Sequence, residues 1–395
     1  MKNNHQLGTL KLFIFHYHAA NTIIISFLPL YLKYKGLSGI EIGWVLAIGP
    51  FASIISQPFW GYLSDKYQTI KRMLILSIIG MLIMSIIFFQ MNTLTTILIF
   101  GAFFYFFSSP VGGLSDSLAQ RRALDLRVPF GSIRTWGSIG FAFSSLVVGE
   151  ILTQFGIQYI VWPYVILGSI LLIIAFKVTD VNTEGTPITL KDLSTIAKNT
   201  PFILFLLLMM LITITHRAND SFVSIFVTEL GGTEGLAGTA WFIALISEAT
   251  VFATAGFWFR KYQPVTFVII AGIIYTFRWF IYGMTSNPYM IVFLQLTHGI
   301  SFAVFYVAAI DYVTKIIPSR LHSSGHLIFY SVMFGLSGIF GSLGGGAMME
   351  HFGLPSLYFI MGVMTSLGVI FLTLYTSWLK NRTKHLNLKQ KGRAT

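Results

Sequence analysis

Apolar residues along this chain fall into windows of about 20 or more, separated by short polar breaks. A hydrocarbon core about 30 Å thick needs about 20 largely apolar residues in helix, because an unsatisfied backbone group cannot face lipid. The pattern predicts twelve membrane-spanning helices, over 9–33, 41–64, 71–91, 94–120, 130–154, 159–177, 201–229, 236–259, 264–285, 288–316, 322–350 and 355–379. Little is left over for a soluble domain. Most breaks are as short as Met91 to Asn92 or Ser286 to Pro288, so neighbouring helices are expected to form antiparallel hairpins. The exception is Val178 to Thr200, a polar stretch with Asp180, Glu184, Lys191, Asp192 and Lys198. It divides the chain into a first six-helix bundle over 1–178, a cytoplasmic linker over 179–200, a second bundle over 201–379 and a basic tail over 380–395. The first apolar run is too long for the core of a signal peptide and no small-residue cleavage site follows it, so it is expected to stay as the first span.

Composition agrees with this picture. Asp, Glu, Lys and Arg make up 10% of the chain and the apolar set 55%, where a soluble domain carries about 25% charge. A soluble enzyme is thereby excluded. The aromatic share of 16% and the absence of cysteine exclude a disordered or disulfide-framed chain. The net charge of +12 would suggest a nucleic-acid partner in a soluble protein, but its distribution removes that reading. With the N-terminus inside, the cytoplasmic breaks and both termini hold 21 of the 26 bases. Only Lys33 and Lys35 fall outside, and Arg134, Arg217 and Arg278 fall within spans. This asymmetry predicts both termini in the cytoplasm of a cell-membrane protein whose environment is the lipid bilayer.

The second half repeats the first. At an offset of 195, Gly61-Tyr-Leu-Ser-Asp-Lys-Tyr67 aligns with Gly256-Phe-Trp-Phe-Arg-Lys-Tyr262, and Asp116 with Asp311. At 198, His18-Ala-Ala-Asn21 aligns with His216-Arg-Ala-Asn219. Six helices per copy is an even number, so both copies share one topology and are related by an axis along the membrane normal, as in major facilitator transporters. Solute sites are then expected at the interface of the halves. The motif Gly61-x-x-x-Asp65-Lys66, followed by Lys71 and Arg72, resembles the loop signature of the major facilitator superfamily. Gly61 would permit close helix approach, and Asp65, Lys66 and Arg72 would form a cytoplasmic gate that breaks and re-forms during rocking. Arg260 replaces the aspartate in the second copy.

Seven ionisable residues fall inside spans: Asp116, Arg134, Arg217, Asp220, Glu248, Arg278 and Asp311, with His16, His18, His216 and His298 beside them. On insertion scales each charge costs about 2.5 to 3.5 kcal/mol, on the order of 20 kcal/mol for the set, so pairing or hydration is obligatory. Depth suggests the pairs. Asp116 and Arg134 each lie about four residues, roughly 6 Å, from a cytoplasmic end and can meet. Glu248, Arg278 and His298 lie near the middle of their spans, while His216 and Asp220 share a helix face with Arg217 between them. His16 reads as a packing residue.

The segment Phe130-Gly131-Ser-Ile-Arg134-Thr-Trp-Gly137, eighteen residues after Asp116 at its arginine, resembles the lactose permease or oligosaccharide:proton symporter group. Asp116-Ser-Leu-Ala, Arg134-x-Trp-Gly-Ser, Arg278-Trp, His298-Gly and Val307-Ala-Ala are closer still to the phenylpropionate permease-like group. The resemblance implies an all-α integral membrane protein with twelve helices in two pseudo-symmetric bundles. It implies substrate binding by Asp116, Arg134, Glu248, Arg278 and His298; by sequence position Trp136 and Phe141 also fall near the expected cavity, where such rings either stack on a substrate ring or face lipid. The sugar symporters carry a proton-bearing glutamate three residues after the span-ten histidine; here that position is Ser301, and Ser331 to Gly346 contains no Lys or Arg. The acids left to carry a proton are Glu248, ranked first, Asp311 and Asp220, with His298 and His216 as relays.

The leading expectation is a proton-linked symporter of a small polar organic solute such as a sugar, nucleoside or aromatic carboxylate, working as a monomer without cofactor or metal. An exporter or flippase of the same fold is the alternative, weakened by the absence of proline from residues 132–154. A membrane enzyme finds no His-Glu-x-x-His, Gly-x-Ser-x-Gly or Walker loop to support it.

Overall fold

The computed structural model describes residues 2–181, 198–258, 263–318 and 322–391. Most of the linker, Arg260 of the second loop motif, Arg320 and the end of the basic tail lie outside the described residues. Every regular element described is helical: α1 (Lys2–Tyr34), α2 (Gly39–Lys66), α3 (Ile70–Gln90), α4 (Leu94–Leu126), α5 (Phe130–Phe155), α6 (Val161–Lys177), α7 (Thr200–Glu229), α8 (Glu234–Trp258), α9 (Pro264–Met284), α10 (Pro288–Ile316), α11 (322–352) and α12 (354–391). Eleven helical stretches among the described residues are long and apolar enough to cross a membrane. The last of them, Gly325–Trp378, is 54 residues long, more than twice what a bilayer needs. It is α11 and α12 joined at Gly353, whose φ of +77° and ψ of 166° break the helix where the sequence pattern places a break.

Starts and stops follow local chemistry. Ser38 and Glu41 form a reciprocal capping box at the start of α2, and Thr69, Thr93 and Asn199 accept backbone N–H groups at the starts of α3, α4 and α7. Asp180, just past α6, reaches back to α3. Its carboxylate accepts from the Thr69 hydroxyl at 2.5 Å, from the Ile70 N–H at 3.1 Å and from the Lys71 N–H at 2.9 Å. The α2–α3 loop is thereby fixed to the end of α6. Two helices are irregular where they approach the interior: α10 holds a π segment over Gly299–Ala303, and α11 one over Ser331–Leu336.

The first six helices meet the others chiefly through α1–α7, α2–α11 and α5–α8. These contacts crowd towards one end of the molecule. Gly39 and Gly43 of α2 press on the backbone of Gly346 and Ser342 of α11, and Gly149 of α5 lies against Gly235 and Gly238 of α8. At the same end Lys33 pairs with Glu229 at 2.5 Å, Glu350 accepts the Ile40 N–H at 2.7 Å, and Thr153 accepts the Gly235 N–H at 2.8 Å. Towards the other end the two sets of helices part: nothing lies within 4 Å of where a Cβ would stand at Gly61 of α2 or Gly131 of α5. The molecule is therefore closed on one face and open on the opposite one.

Candidate functional site

Four helices of the second half build a buried polar network. Its centre is Arg278 of α9, 2% exposed. A guanidinium at that depth is tolerated only with its donors satisfied. Nε donates to the Tyr282 hydroxyl at 3.2 Å, Nη1 meets His298 Nδ1 at 3.4 Å, Nη2 donates to Gln295 Oε1, and the group lies 5.1 Å from the Trp279 ring centroid. Arginine cannot accept a hydrogen bond, so His298 Nδ1 acts as acceptor and its Nε2 carries the hydrogen. That nitrogen faces Glu248 Oε2 of α8 at 3.6 Å. Glu248 and Arg278, expected to act as a pair, are thus joined through His298.

The α7 residues belong to the same network. His216 stands 3.0 Å from the Tyr275 hydroxyl through Nδ1 and 3.5 Å from Asp220 through Nε2. Phe302 of α10 stacks on both imidazoles, its centroid 4.7 Å from His216 and 5.4 Å from His298. Asp220 in turn accepts from Arg217 Nη1 at 2.7 Å. Two cations and two acids balance across the network. Sequence depth placed the α7 group and the α8–α10 group separately; the stacked ring of Phe302, one turn beyond His298, joins them.

Arg217 and Asp220 also line a cavity of about 260 Å³ between the two sets of helices. Its remaining wall comes from α1, α2, α4, α6 and α11, with Tyr17, Asn21, Pro50, Tyr105, Ser108, Ser109, Tyr164 and Phe334 among the lining residues. Sequence reading missed these because they are uncharged. The adjacent polar pair Ser108-Ser109 in a span otherwise rich in phenylalanine was the available signal.

The other expected residues are distributed as follows. Asp116 and Arg134 meet at 3.5 Å, with 47% and 38% of their side chains exposed towards the open face. His18 and Arg134 both pack against Gly137. Phe141 is buried between the halves against Trp241, 5.8 Å between centroids, and Trp136 is 36% exposed beneath the Lys11 ammonium. Neither lines the cavity. Asp311 pairs with Lys315 at 2.9 Å one helical turn on, and thirteen residues from His298 place it about 20 Å along α10 from the network. Ser301 donates to the carbonyls of Thr297 and His298. Around the loop motif, Lys66 lies over the Tyr62 and Tyr67 rings, Asp65 is exposed and the Arg72 N–H caps onto Thr69. The expectation that Gly61 serves a close helix approach is not met in this conformation: nothing lies within 4 Å of where its Cβ would be, since the halves part at that end.

A two-part helical bundle with a cavity between its parts and paired charges held inside is an architecture that many secondary transporters share. The MFS_1 like family matches residues 7–361, and the chain belongs to that family. It is a multi-pass cell-membrane transporter and not an enzyme. It is similar to the "Uncharacterized transporter YwbF" of Bacillus subtilis, 27% identical over 89% of this chain and 88% of that one. It is also similar to the maltose permease of Geobacillus stearothermophilus, 25% identical over 92% and 93%. Its fold matches the crystal structure of the nucleoside transporter NupG with a TM-score of 0.85, covering 94% of this chain and 99% of that chain at 17% identity.

Proposed function

We propose that the protein is a proton-coupled symporter that takes up a small polar organic solute by rocking two six-helix halves, 1–178 and 201–379, about a central cavity. Twelve crossings and two cytoplasmic termini complete this reading, which turns the open face to the cytoplasm. The observation that carries it is the continuity between the cavity and a buried titratable network: Asp220 lines the cavity and touches His216, and Phe302 bridges His216 to His298 beside Glu248. Solute binding and proton uptake can therefore influence one another over a few contacts. Glu248 serves as the proton carrier, His298 and His216 as its neighbours in exchange, and Arg278 fixes the His298 tautomer. Asp116 and Arg134 stand in the open vestibule, where they meet solute entering or leaving. Maltose permease and the nucleoside transporter NupG carry in their names the solute classes that guide the choice of substrate. The protein works as a monomer.

The experiment is uptake into proteoliposomes under an imposed inward proton gradient, with saccharides, nucleosides and aromatic acids as candidate solutes. Accumulation that collapses with a protonophore is expected. Uptake that merely equilibrates, or that runs faster when the gradient is reversed, would sink the symport reading.

A further inference from the structure

One turn of α9 serves both buried imidazoles. Tyr275 and Arg278 are three residues apart and share a helix face. Arg278 Nη1–H points at His298 Nδ1 at 3.4 Å, and the Tyr275 hydroxyl stands 3.0 Å from His216 Nδ1. The direction of the second bond follows from the far side of the His216 ring. Its Nε2 faces Asp220 Oδ2 at 3.5 Å, and that oxygen is paired with Arg217 at 2.7 Å. A carboxylate in an ion pair accepts and does not donate, so Nε2 carries the hydrogen, Nδ1 is bare and the Tyr275 hydroxyl donates to it. Ser301, whose hydroxyl also reaches the Tyr275 oxygen, is already satisfied by the Thr297 and His298 carbonyls, whereas His216 Nδ1 without Tyr275 would be a buried orphan. The Tyr275 ring is itself held. It stacks on Trp279 with centroids 5.3 Å apart, and Trp279 donates to Thr215, the residue before His216, at 3.2 Å. The buried neighbours Tyr282 and Tyr358 give their hydrogens to the Ile291 carbonyl and Asn219 Oδ1, oxygens with no second state. An imidazole has two tautomers, and the donor on Nδ1 selects one.

Resting on the proton-coupling reading above, we propose that Tyr275 is a positioning residue for proton transfer. Its hydroxyl keeps His216 in the Nε2–H tautomer, so that Asp220 has hydrogens aimed at it from both His216 and Arg217 and the coupling proton is left to Glu248. The four charges of the network, Arg217 and Asp220 of α7, Glu248 of α8 and Arg278 of α9, cancel without a charge on either imidazole, and a neutral imidazole is one with a choice of tautomer. With the hydrogen on Nδ1 instead, the bare Nε2 of His216 would face the carboxylate, lone pair to lone pair. Asp220 would then have to hold a proton and donate it to Nε2, and the proton would reside on α7 and not on α8. Glu248 has no arginine so close: among the described residues its ion-pair partner is His298 at 3.6 Å. Tyr275 thereby divides the two acids by task, Asp220 kept as an acceptor and Glu248 free to exchange.

The test is solid-state NMR of the full chain in liposomes at neutral pH, with isotope-labelled histidine and neither solute nor gradient, so that it does not depend on transport. Bare and hydrogen-bearing ring nitrogens give separate signals, and the ring carbons tell Nδ1 from Nε2. His216→Gln assigns His216 among the nine histidines by the signal it removes. In the unaltered protein His216 is expected as one tautomer, with its hydrogen on Nε2. Tyr275→Phe keeps the ring and its stack on Trp279 and removes one oxygen; loss of the single-tautomer signal and appearance of Nδ1–H are expected. Tyr282→Phe removes another buried hydroxyl from the same helix and is expected to leave the His216 signal in place. Gradient-driven uptake in proteoliposomes should fall by about fivefold in Tyr275→Phe, the worth of one neutral hydrogen bond. Nδ1–H or mixed tautomers in the unaltered protein would overturn the proposal, and that spectrum suffices should Tyr275→Phe misfold. An unmoved signal in Tyr275→Phe, an equal change in Tyr282→Phe, or undiminished uptake despite a changed tautomer would overturn it as well. A tautomer that is fixed in the unaltered protein and lost in Tyr275→Phe, with no gradient-driven uptake by either, would refute symport and leave the assignment of Tyr275 to His216 standing.

Discussion

Gly299 of α10 presses against the backbone of Ser247 on α8, donating its N–H to the Ser247 hydroxyl at 2.8 Å. The contact is close enough that a Cβ at residue 299 would overlap the Ser247 carbonyl and stand 2.9 Å from the Glu248 nitrogen. Residues 247 and 299 are the chain neighbours of Glu248 and His298, so this approach sets the 3.6 Å between those side chains. Gly299→Ala is expected to push α8 away and lower stability by about 1–3 kcal/mol, the usual cost of overpacking. A melt of the purified variant, with uptake measured alongside, checks it; an unchanged melting temperature with full transport would show that the approach is slack.

Lys33 and Glu229 close the sealed end between α1 and α7 at 2.5 Å, yet both are more than a third exposed. Such a pair is worth about 0–1 kcal/mol, so Glu229→Gln should shift the ratio of the two access states by about fivefold at most. The chain has no cysteine, which makes spin labels at Tyr34→Cys and Glu234→Cys unambiguous. The variant is expected to gain population at longer label separations. An unaltered distance distribution would assign the seal to the glycine-lined α2–α11 and α5–α8 contacts alone.

Asp180 gathers three donors from the start of α3, and the Lys71 ammonium returns a bond to the Phe176 carbonyl at 2.7 Å. Losing a helix cap costs about 0.5–2 kcal/mol. Asp180→Ala should therefore lower the apparent melting temperature, and Asp180→Asn, which keeps acceptors but no charge, should fall between the two. Equal melts for all three would leave the loop anchored by Lys71.

How far the sequence foretold this arrangement depended on charge. Hydropathy windows anticipated each helix to within a few residues at most ends, because lipid imposes a length that composition records. The gap between 350 and 355 fell on Gly353, where the helix does break. Asp116 with Arg134, and Glu248 with His298, were legible because an ionisable residue in a span is conspicuous and its depth can be counted. The cavity was not, since Tyr17, Asn21 and Ser109 differ in no visible way from polar groups that merely pack. Asp180 shows in the sequence only as linker polarity because its partners lie 109 to 111 residues away, and no local pattern announces a cap supplied from another helix. Asp311 had the same signal as Asp116 but finds Lys315 on its own helix face.

Glu248 is expected to be separable from the solute-binding step. Its carboxylate faces the His298 Nε2–H, and glutamine at this position still presents an oxygen to that hydrogen, so the Arg278–His298 arrangement has no reason to collapse. What glutamine lacks is the capacity to take up and release a proton. Glu248→Gln should therefore abolish concentrative, gradient-driven uptake while leaving exchange of labelled for unlabelled solute across the membrane, because exchange needs the halves to rock but not the proton to move. The two assays on one preparation of proteoliposomes decide it. If the variant still concentrates solute, the coupling proton resides on Asp220, which touches both the cavity and His216. If exchange is lost as well, Glu248 holds the solute or the fold and its role as carrier is refuted.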